Sequence, residues 1–155
     1  MHIALALIVM ATLPSTVVDK TSPDTAVRLL TGKELNATLQ KGMTPDALFS
    51  QIIIAKHPTY QIYTTARDKS GQAEVHADWN DNIVIQEGEA SFELGGVATG
   101  AKEREPGELR GPTITGGKSI AMRAGDYLFI PAGVPHKMVV NPGQKVKFIA
   151  FKTHK

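Results

Sequence analysis

Gly125-Asp-Tyr-Leu-Phe-Ile-Pro-Ala-Gly-Val-Pro-His-Lys-Met-Val-Val140 is the stretch whose reading decides the fold. Gly125 and Asp126 read as a turn, since glycine accepts positive φ and aspartate can bond its own backbone. Tyr127 to Ile130 is a short run of β-favouring residues. Pro131 to Pro135 cannot continue a strand: each proline lacks an N–H donor, and Gly133 invites a bend. A second strand, His136 to Val140, follows at once. The chain thus sets a histidine at the mouth of a rigid, double-proline bend.

The spacing G-x5-P-x-G-x2-H, carried by Gly125, Pro131, Gly133 and His136, resembles the second sequence motif of the cupins, small double-stranded β-helix barrels. The motif's usual terminal asparagine falls one place late, at Asn141. The first cupin motif would end at Gly88, with Asp81 seven positions before it and His76 five before that. Where the family carries its first histidine, this chain has Glu74. The motif therefore reads E-x-H-x4-D-x6-G in place of H-x-H-x4-E-x6-G. A second alignment takes His76 as the first histidine and Asp78 as the next ligand, but it shortens the following loop, and the first is preferred. The resemblance covers roughly the last two-thirds of the chain.

Working outward, 155 residues suit one domain with a single core. The charge is nearly balanced, with 17 basic and 15 acidic residues. No basic run interleaved with aromatics occurs, so no nucleic-acid platform is expected. The absence of cysteine excludes thiolate metal sites, disulfides and cysteine nucleophiles. Ile3 to Leu13 is apolar but far shorter than the ~20 residues of a membrane span. Residues 1–16 read as a signal peptide or as a leading strand. Export to the periplasm or beyond follows from the first reading, and a cytoplasmic location from the second. Residues 17–50 read as a linker and a helix. Thr31 supplies the N-cap and Glu34 the capping-box partner, Leu35 and Leu39 share a face, and Gly42 is the stop.

Residues 51–155 read as the barrel. Gln51–Lys56 and Tyr60–Arg67 are strands, and Asp68–Gln72 is a hairpin loop before a return strand Ala73–Asp78. Ile83–Glu87 and Ala90–Leu94 form a hairpin around Gly88-Glu89. Gly95 to Gly111 is long, glycine-rich and charged, and reads as an exposed loop or lid. Ile114–Thr115 and Ser119–Arg123 form a hairpin around Gly116-Gly117. Lys145 to Lys152 closes the chain, alternating charged and apolar residues as an exposed edge does. Cupins pair through such edges, so a homodimer is expected. About nine short strands with Gly/Pro turns give an all-β, jelly-roll class with a short helical segment ahead of it.

On a cupin barrel Glu74, His76, Asp81 and His136 would converge inside, near one end. Two imidazoles with carboxylates suit a divalent first-row ion such as Fe, Mn, Zn or Ni. Each residue also has a plainer reading: His136 as a hydrogen-bonded barrel histidine, Glu74 as a solvated strand-end carboxylate, Asp81 as part of the turn-like Asn80-Asp81-Asn82. Ile83, Ile85, Met138 and Val140 would give an apolar wall or simply core. Trp79 would wall the pocket or cap the barrel. Tyr60, Tyr63 and Arg67 would supply a proton donor, an anion clamp or packing. His57 and His154 read as surface residues. The resemblance implies a metal-dependent enzyme acting on a small organic molecule, of the oxygenase, lyase, isomerase or cyclase type. The alternative is a metal-free barrel that binds a small ligand without chemistry. No G-x-S-x-G, phosphate-cradling glycine loop or H-E-x-x-H occurs.

Overall fold

The computed structural model describes residues 15–21 and 27–155. The run Ile3 to Leu13, read from sequence as a signal peptide or a leading strand, lies outside the described residues. The elements in order are β1 (Thr16–Asp19), α1 (Gly32–Gly42), β2 (Ser50–His57), β3 (Tyr60–Arg67), β4 (Ala73–His76), β5 (Trp79–Leu94) and β6 (Val97–Thr99). There follow β7 (Lys102–Glu105), β8 (Glu108–Gly111), β9 (Thr113–Thr115), β10 (Lys118–Arg123), β11 (Tyr127–Ile130), β12 (His136–Val139) and β13 (Val146–His154). They form the expected double-stranded β-helix, preceded by one helix.

The long strand β5 belongs to both halves of the barrel. Its first half lies between β13 and β11, and its second half between β12 and β10. Sheet order runs β1-β2-β3-β13-β5-β12-β4-β8-β7. Asp81, Ile83 and Ile85 point inward along the first half, but Ala90 and Phe92 do so along the second. Inward parity switches because the register with β13 slips between Lys147 and Phe148, an irregularity opposite Gln86. Gly88 then turns the corner at φ +75, where an added Cβ would lie 1.9 Å from the Lys145 carbonyl oxygen. Only a residue without a side chain passes there.

The hairpin expected around Gly88-Glu89 is therefore one bent strand. Two further hairpins are also corrected. Asp68–Gln72 does not return the chain to β3: it carries the chain across to β4, which pairs with β8 and β12. Gly116-Gly117 does not join partners either, since β9 pairs with β6 and β10 with β5. In each case the turn chemistry is right, but a jelly roll exchanges sheets at its turns. The Gly95–Gly111 loop contains β6, β7 and β8. The expected linker begins with β1, which pairs parallel to β2.

α1 forms where the capping signal placed it. Thr31 Oγ1 accepts from the Glu34 N–H at 3.2 Å, and Glu34 Oε2 accepts from the Thr31 N–H at 3.0 Å. Such a cap stabilises a helix by ~1 kcal/mol. The helix packs on the outside of β2 and β3 and buries Leu39, a contribution of about 1.5–3 kcal/mol. The core inside the barrel is built by Ile83, Ile85, Phe92, Met122, Ile130, Met138, Val146 and Phe148, among others. β13 lies between β3 and β5, so it is not the exposed edge on which the homodimer expectation rested. Among the described residues no helix is long and apolar enough to cross a membrane.

Candidate metal centre

The double-proline bend is pinned by its backbone. Gly133, at φ +82, donates its N–H to the His76 carbonyl at 2.7 Å, and Ala132 donates to Asn80 Oδ1 at 2.9 Å. The bend is thereby tied to the end of β4 and the start of β5. It releases the chain into β12 with His136 directly opposite Glu74 on β4. His76 follows two residues later on β4, and Asp81 is the first buried residue of β5. Four residues from three strands thus meet at one end of the barrel.

Glu74, His76 and His136 offer ligand atoms that all lie within 4.8 Å of one another. His76 Nε2 is 3.4 Å from Glu74 Oε2 and 3.3 Å from Asp81 Oδ2. His136 Nε2 is 3.9 Å and 3.2 Å from the same two oxygens. Each ring is oriented from behind. His136 donates its Nδ1–H to the Val134 carbonyl at 3.0 Å, and His76 donates its Nδ1–H to Glu108 Oε2 at 2.5 Å. Both Nε2 atoms therefore face the cluster, the arrangement that metal-ligating histidines adopt. The donor set fits a divalent first-row ion.

The charges are mutually dependent. Burial works against the Asp81 carboxylate, but hydrogen bonds from His136 and His76, and then the Lys152 charge, hold it well below the usual range. Burial also works against Glu74. The His76 hydrogen bond and the Arg110 and His136 charges nevertheless keep it far below its ordinary value. For His76, burial opposes protonation, yet the Asp81 and Glu74 carboxylates outweigh it and raise the imidazole to about 9. Lys152 stands beside them, with Nζ 2.7 Å from His76 Nε2 and 3.1 Å from Asp81 Oδ1.

A cavity of about 790 Å³ opens from this cluster along the inward face of β3. Tyr63, Trp79, Ile83 and Met138 line it, whereas Ile85 is buried in the core and does not. Burial, then the nearby Asp81 and Glu108 charges, push the Tyr63 phenol up to about 12. Its hydroxyl donates to Gln61 Oε1. Trp79 sets its ring edge-on to His154, with centroids 5.0 Å apart. Tyr60 stacks on His57 away from the cavity.

Three site residues escaped the sequence reading. Glu108 and Arg110 come from β8, inside the stretch taken for a loop. Arg110 reaches Glu108 at 3.2 Å and Glu74 at 3.6 Å. The third is Lys152. Its signal was present, because Val146, Phe148, Ala150 and Lys152 share the inward parity of β13.

A family model described as the JmjC domain matches residues 38–151. No curated protein matches the chain. Among solved structures it is similar to a protein of Thermus thermophilus, with TM-score 0.53 and 14% identity over 72% of this chain and 87% of that one. A cupin-like protein from Thermotoga maritima gives 0.49 and 14%, covering 68% of each chain. The polyketide cyclase RemF from Streptomyces resistomycificus gives 0.48 and 17%, over 68% of this chain. The chain spans 65% of that cyclase, less than two thirds of its length. At these identities the likeness concerns the fold.

Proposed function

The chain belongs to the JmjC-domain family, on a cupin barrel, and from that premise we propose that it is a metal-dependent enzyme acting on a small organic molecule. The observation that carries this reading is the convergence of Glu74 Oε2, His76 Nε2 and His136 Nε2 within 4.8 Å of one another beside the cavity. These three residues would hold the ion, with Asp81 as the fourth donor. A divalent ion there supplies Lewis-acid chemistry toward a substrate oxygen or, if it is iron, redox chemistry.

The remaining residues do work of their own. Glu108 and the Val134 carbonyl fix the two rings, so the imidazoles are already oriented toward the cluster. Tyr63 keeps its proton throughout the neutral range and offers a hydroxyl on the cavity wall. Ile83, Phe92, Met138 and Phe148 line the barrel side and keep that side dry. The reaction type (oxygenase, lyase, isomerase or cyclase) stays open in this proposal, because one fold hosts many chemistries.

Lys152 favours a second reading. An ammonium 2.7 Å from His76 Nε2 is itself a cation among the ligand atoms, as a metal-free binding barrel would require. Metal analysis decides between them. Tag-free protein is reconstituted separately with Fe(II), Mn(II), Zn(II) and Ni(II), alongside His136→Ala and Asp81→Ala. The enzyme reading expects about one equivalent in wild type, none in His136→Ala and weakened binding in Asp81→Ala. No stoichiometric metal in wild type would leave the binding-barrel reading standing.

A further inference from the structure

The outer face of the sheet behind the cluster carries a block of exposed aromatic surface. Tyr127 is 60% exposed, Phe129 51% and Phe151 41%. These rings are not scattered. Phe129 on β11 and Phe151 on β13 both lie opposite Asn82 of β5, and in the next row Tyr127 and Ile149 both lie opposite Val84. Opposite residues of an antiparallel pair share a face, so the two rows adjoin across three strands. The edges of β13 are taken by β3 and β5, but its outer face is not.

The neighbouring part of the sheet is already covered, because α1 lies over β2 and β3. Lys147 marks the boundary, its ammonium bonded to Asn36 of α1 at 2.9 Å and to Glu87. At the far end stands the pair Asn80 and Thr153. Between these limits the face holds no charged side chain. Its one amide is already engaged: Asn82 Oδ1 accepts from the Tyr127 hydroxyl at 2.5 Å, and Asn82 Nδ2 donates to the Phe151 carbonyl at 3.1 Å. Covering the face therefore removes little hydration from polar groups.

The three rings expose about 230–380 Å² of aromatic surface, taking 150–250 Å² for a whole ring side chain. That is the apolar centre of a standard interface of ~800 Å² per partner, and the paired Lys147 and Glu87 supply a polar rim. With those two charges matched, the face offers nothing to an anionic surface or an acidic peptide. A flat apolar sheet is best matched by another, packed ~10 Å away as in a β-sandwich, and a second copy of this chain brings one. Pairing by the β11 edge is disfavoured, since that strand is four residues long and stops at Pro131.

We propose that this face is the interface of a two-fold homodimer, with Tyr127, Phe129 and Phe151 of each copy at its centre. The dimer is closed, because the same patch serves both partners. It braces the site from behind: Asn82 adjoins Asp81 in β5, and Phe151 adjoins Lys152 in β13. Neither a bound metal nor catalysis is required for it.

The test is sedimentation equilibrium on the full chain from ~1 to ~100 µM, the range over which weak and stable pairs separate. Wild type should sediment at twice the chain mass. Phe129→Glu and Phe151→Glu should each weaken the dimer about tenfold or more, as loss of a central aromatic does. Val97→Glu is the control: Val97 is 65% exposed but lies on β6, outside this face. It should leave the dimer intact. Circular dichroism verifies folding, and Phe129→Ala and Phe151→Ala replace any glutamate variant that does not fold. A wild type that stays monomeric at ~100 µM overturns the proposal, whether the face then stays bare or is capped by residues 1–14 of its own chain. A dimer that survives both aromatic substitutions overturns it, as does one that Val97→Glu disrupts equally or an assembly larger than two chains. Vesicles of phosphatidylcholine with phosphatidylglycerol are spun with the same proteins. Sedimentation of wild type with them that Phe129→Glu abolishes would assign the face to a lipid surface instead.

Discussion

His76 and Glu108 sit opposite each other in the antiparallel β4–β8 pair, and the imidazole Nδ1–H donates to the carboxylate at 2.5 Å. The contact spans 32 residues of sequence and sets which nitrogen of His76 faces the cluster. A carboxylate behind a ligating imidazole fixes its tautomer and raises its basicity. Replacing Glu108 with Ala should therefore weaken metal binding about 10- to 100-fold. Glu108→Gln, whose amide oxygen still accepts from Nδ1–H, should lose less. Competition with a chelator measures both. Affinity in Glu108→Ala within about threefold of wild type would show that the ring is held by other means.

The pH dependence has opposite signs in the metal-free and metal-loaded protein. His76 is raised from its ordinary 6.5 to about 9 in the folded chain. A raised value stabilises the fold fully below pH ~6.5, and that contribution is lost as pH rises toward about 9. Metal-free protein should melt at lower temperature at pH 9 than at pH 6.5. Metal takes the neutral ring, so its affinity should increase over the same window. On the acid side, Glu74 and Asp81 are held below their ordinary values, and the stability they give above pH ~4 is lost as pH falls through those lowered values. Melts with and without EDTA across pH 3 to 9 check all three slopes. A metal-free melting temperature that climbs from pH 6.5 to 9 would contradict the charge assignment of His76.

Much of the site was legible because its residues lie in short local motifs. Gly133 and His136 are placed by two prolines within six residues, so spacing alone located them. Glu74, His76 and Asp81 followed from one strand and its exit. Glu108 was not legible, because Lys102-Glu-Arg-Glu-Pro106 has the composition of a solvated loop. Only pairing with β4 turns its continuation into a wall of the site. The strand partners were illegible for a related reason. Gly88-Glu89 has hairpin chemistry, yet its two flanks pair with different strands, and nothing local distinguishes a bend from a reversal.

Gly88 is the position where this difference can be measured. Alanine there would meet positive φ and a carbonyl oxygen at 1.9 Å, whereas Gly125, at φ +93, has open space around it. Backbone strain alone costs of order 1–3 kcal/mol, so Gly125→Ala should fall in that range. Gly88→Ala adds a clash with the backbone of Lys145 and should cost more, by at least about 1 kcal/mol. Urea denaturation of both variants provides the comparison. Equal losses would mean that β13 yields easily at the corner.

Lys152 separates the two readings of the cluster most sharply. Its ammonium lies 2.7 Å from His76 Nε2, the atom a metal would take, and 3.1 Å from Asp81 Oδ1. If the centre holds a divalent ion, the ammonium must release His76 and then stands as a like charge beside it. Two unit charges ~4 Å apart repel by about 4 kcal/mol at an effective dielectric of ~20. The flexible side chain can swing away and recover most of that, so removal should yield about a tenfold gain in metal affinity. Lys152→Met should thus bind Zn(II) or Mn(II) more tightly than wild type, while its metal-free form melts lower because Asp81 has lost a partner. If the barrel is instead a metal-free binding protein, Lys152 is the permanent counter-ion of the cluster. The same substitution would then lower the melting temperature, and neither protein would take up metal. Chelator competition and melts with and without EDTA, run on both proteins, distinguish the cases. Metal affinity unchanged or weakened by Lys152→Met would show that the ammonium supports the ligand set rather than opposing the ion.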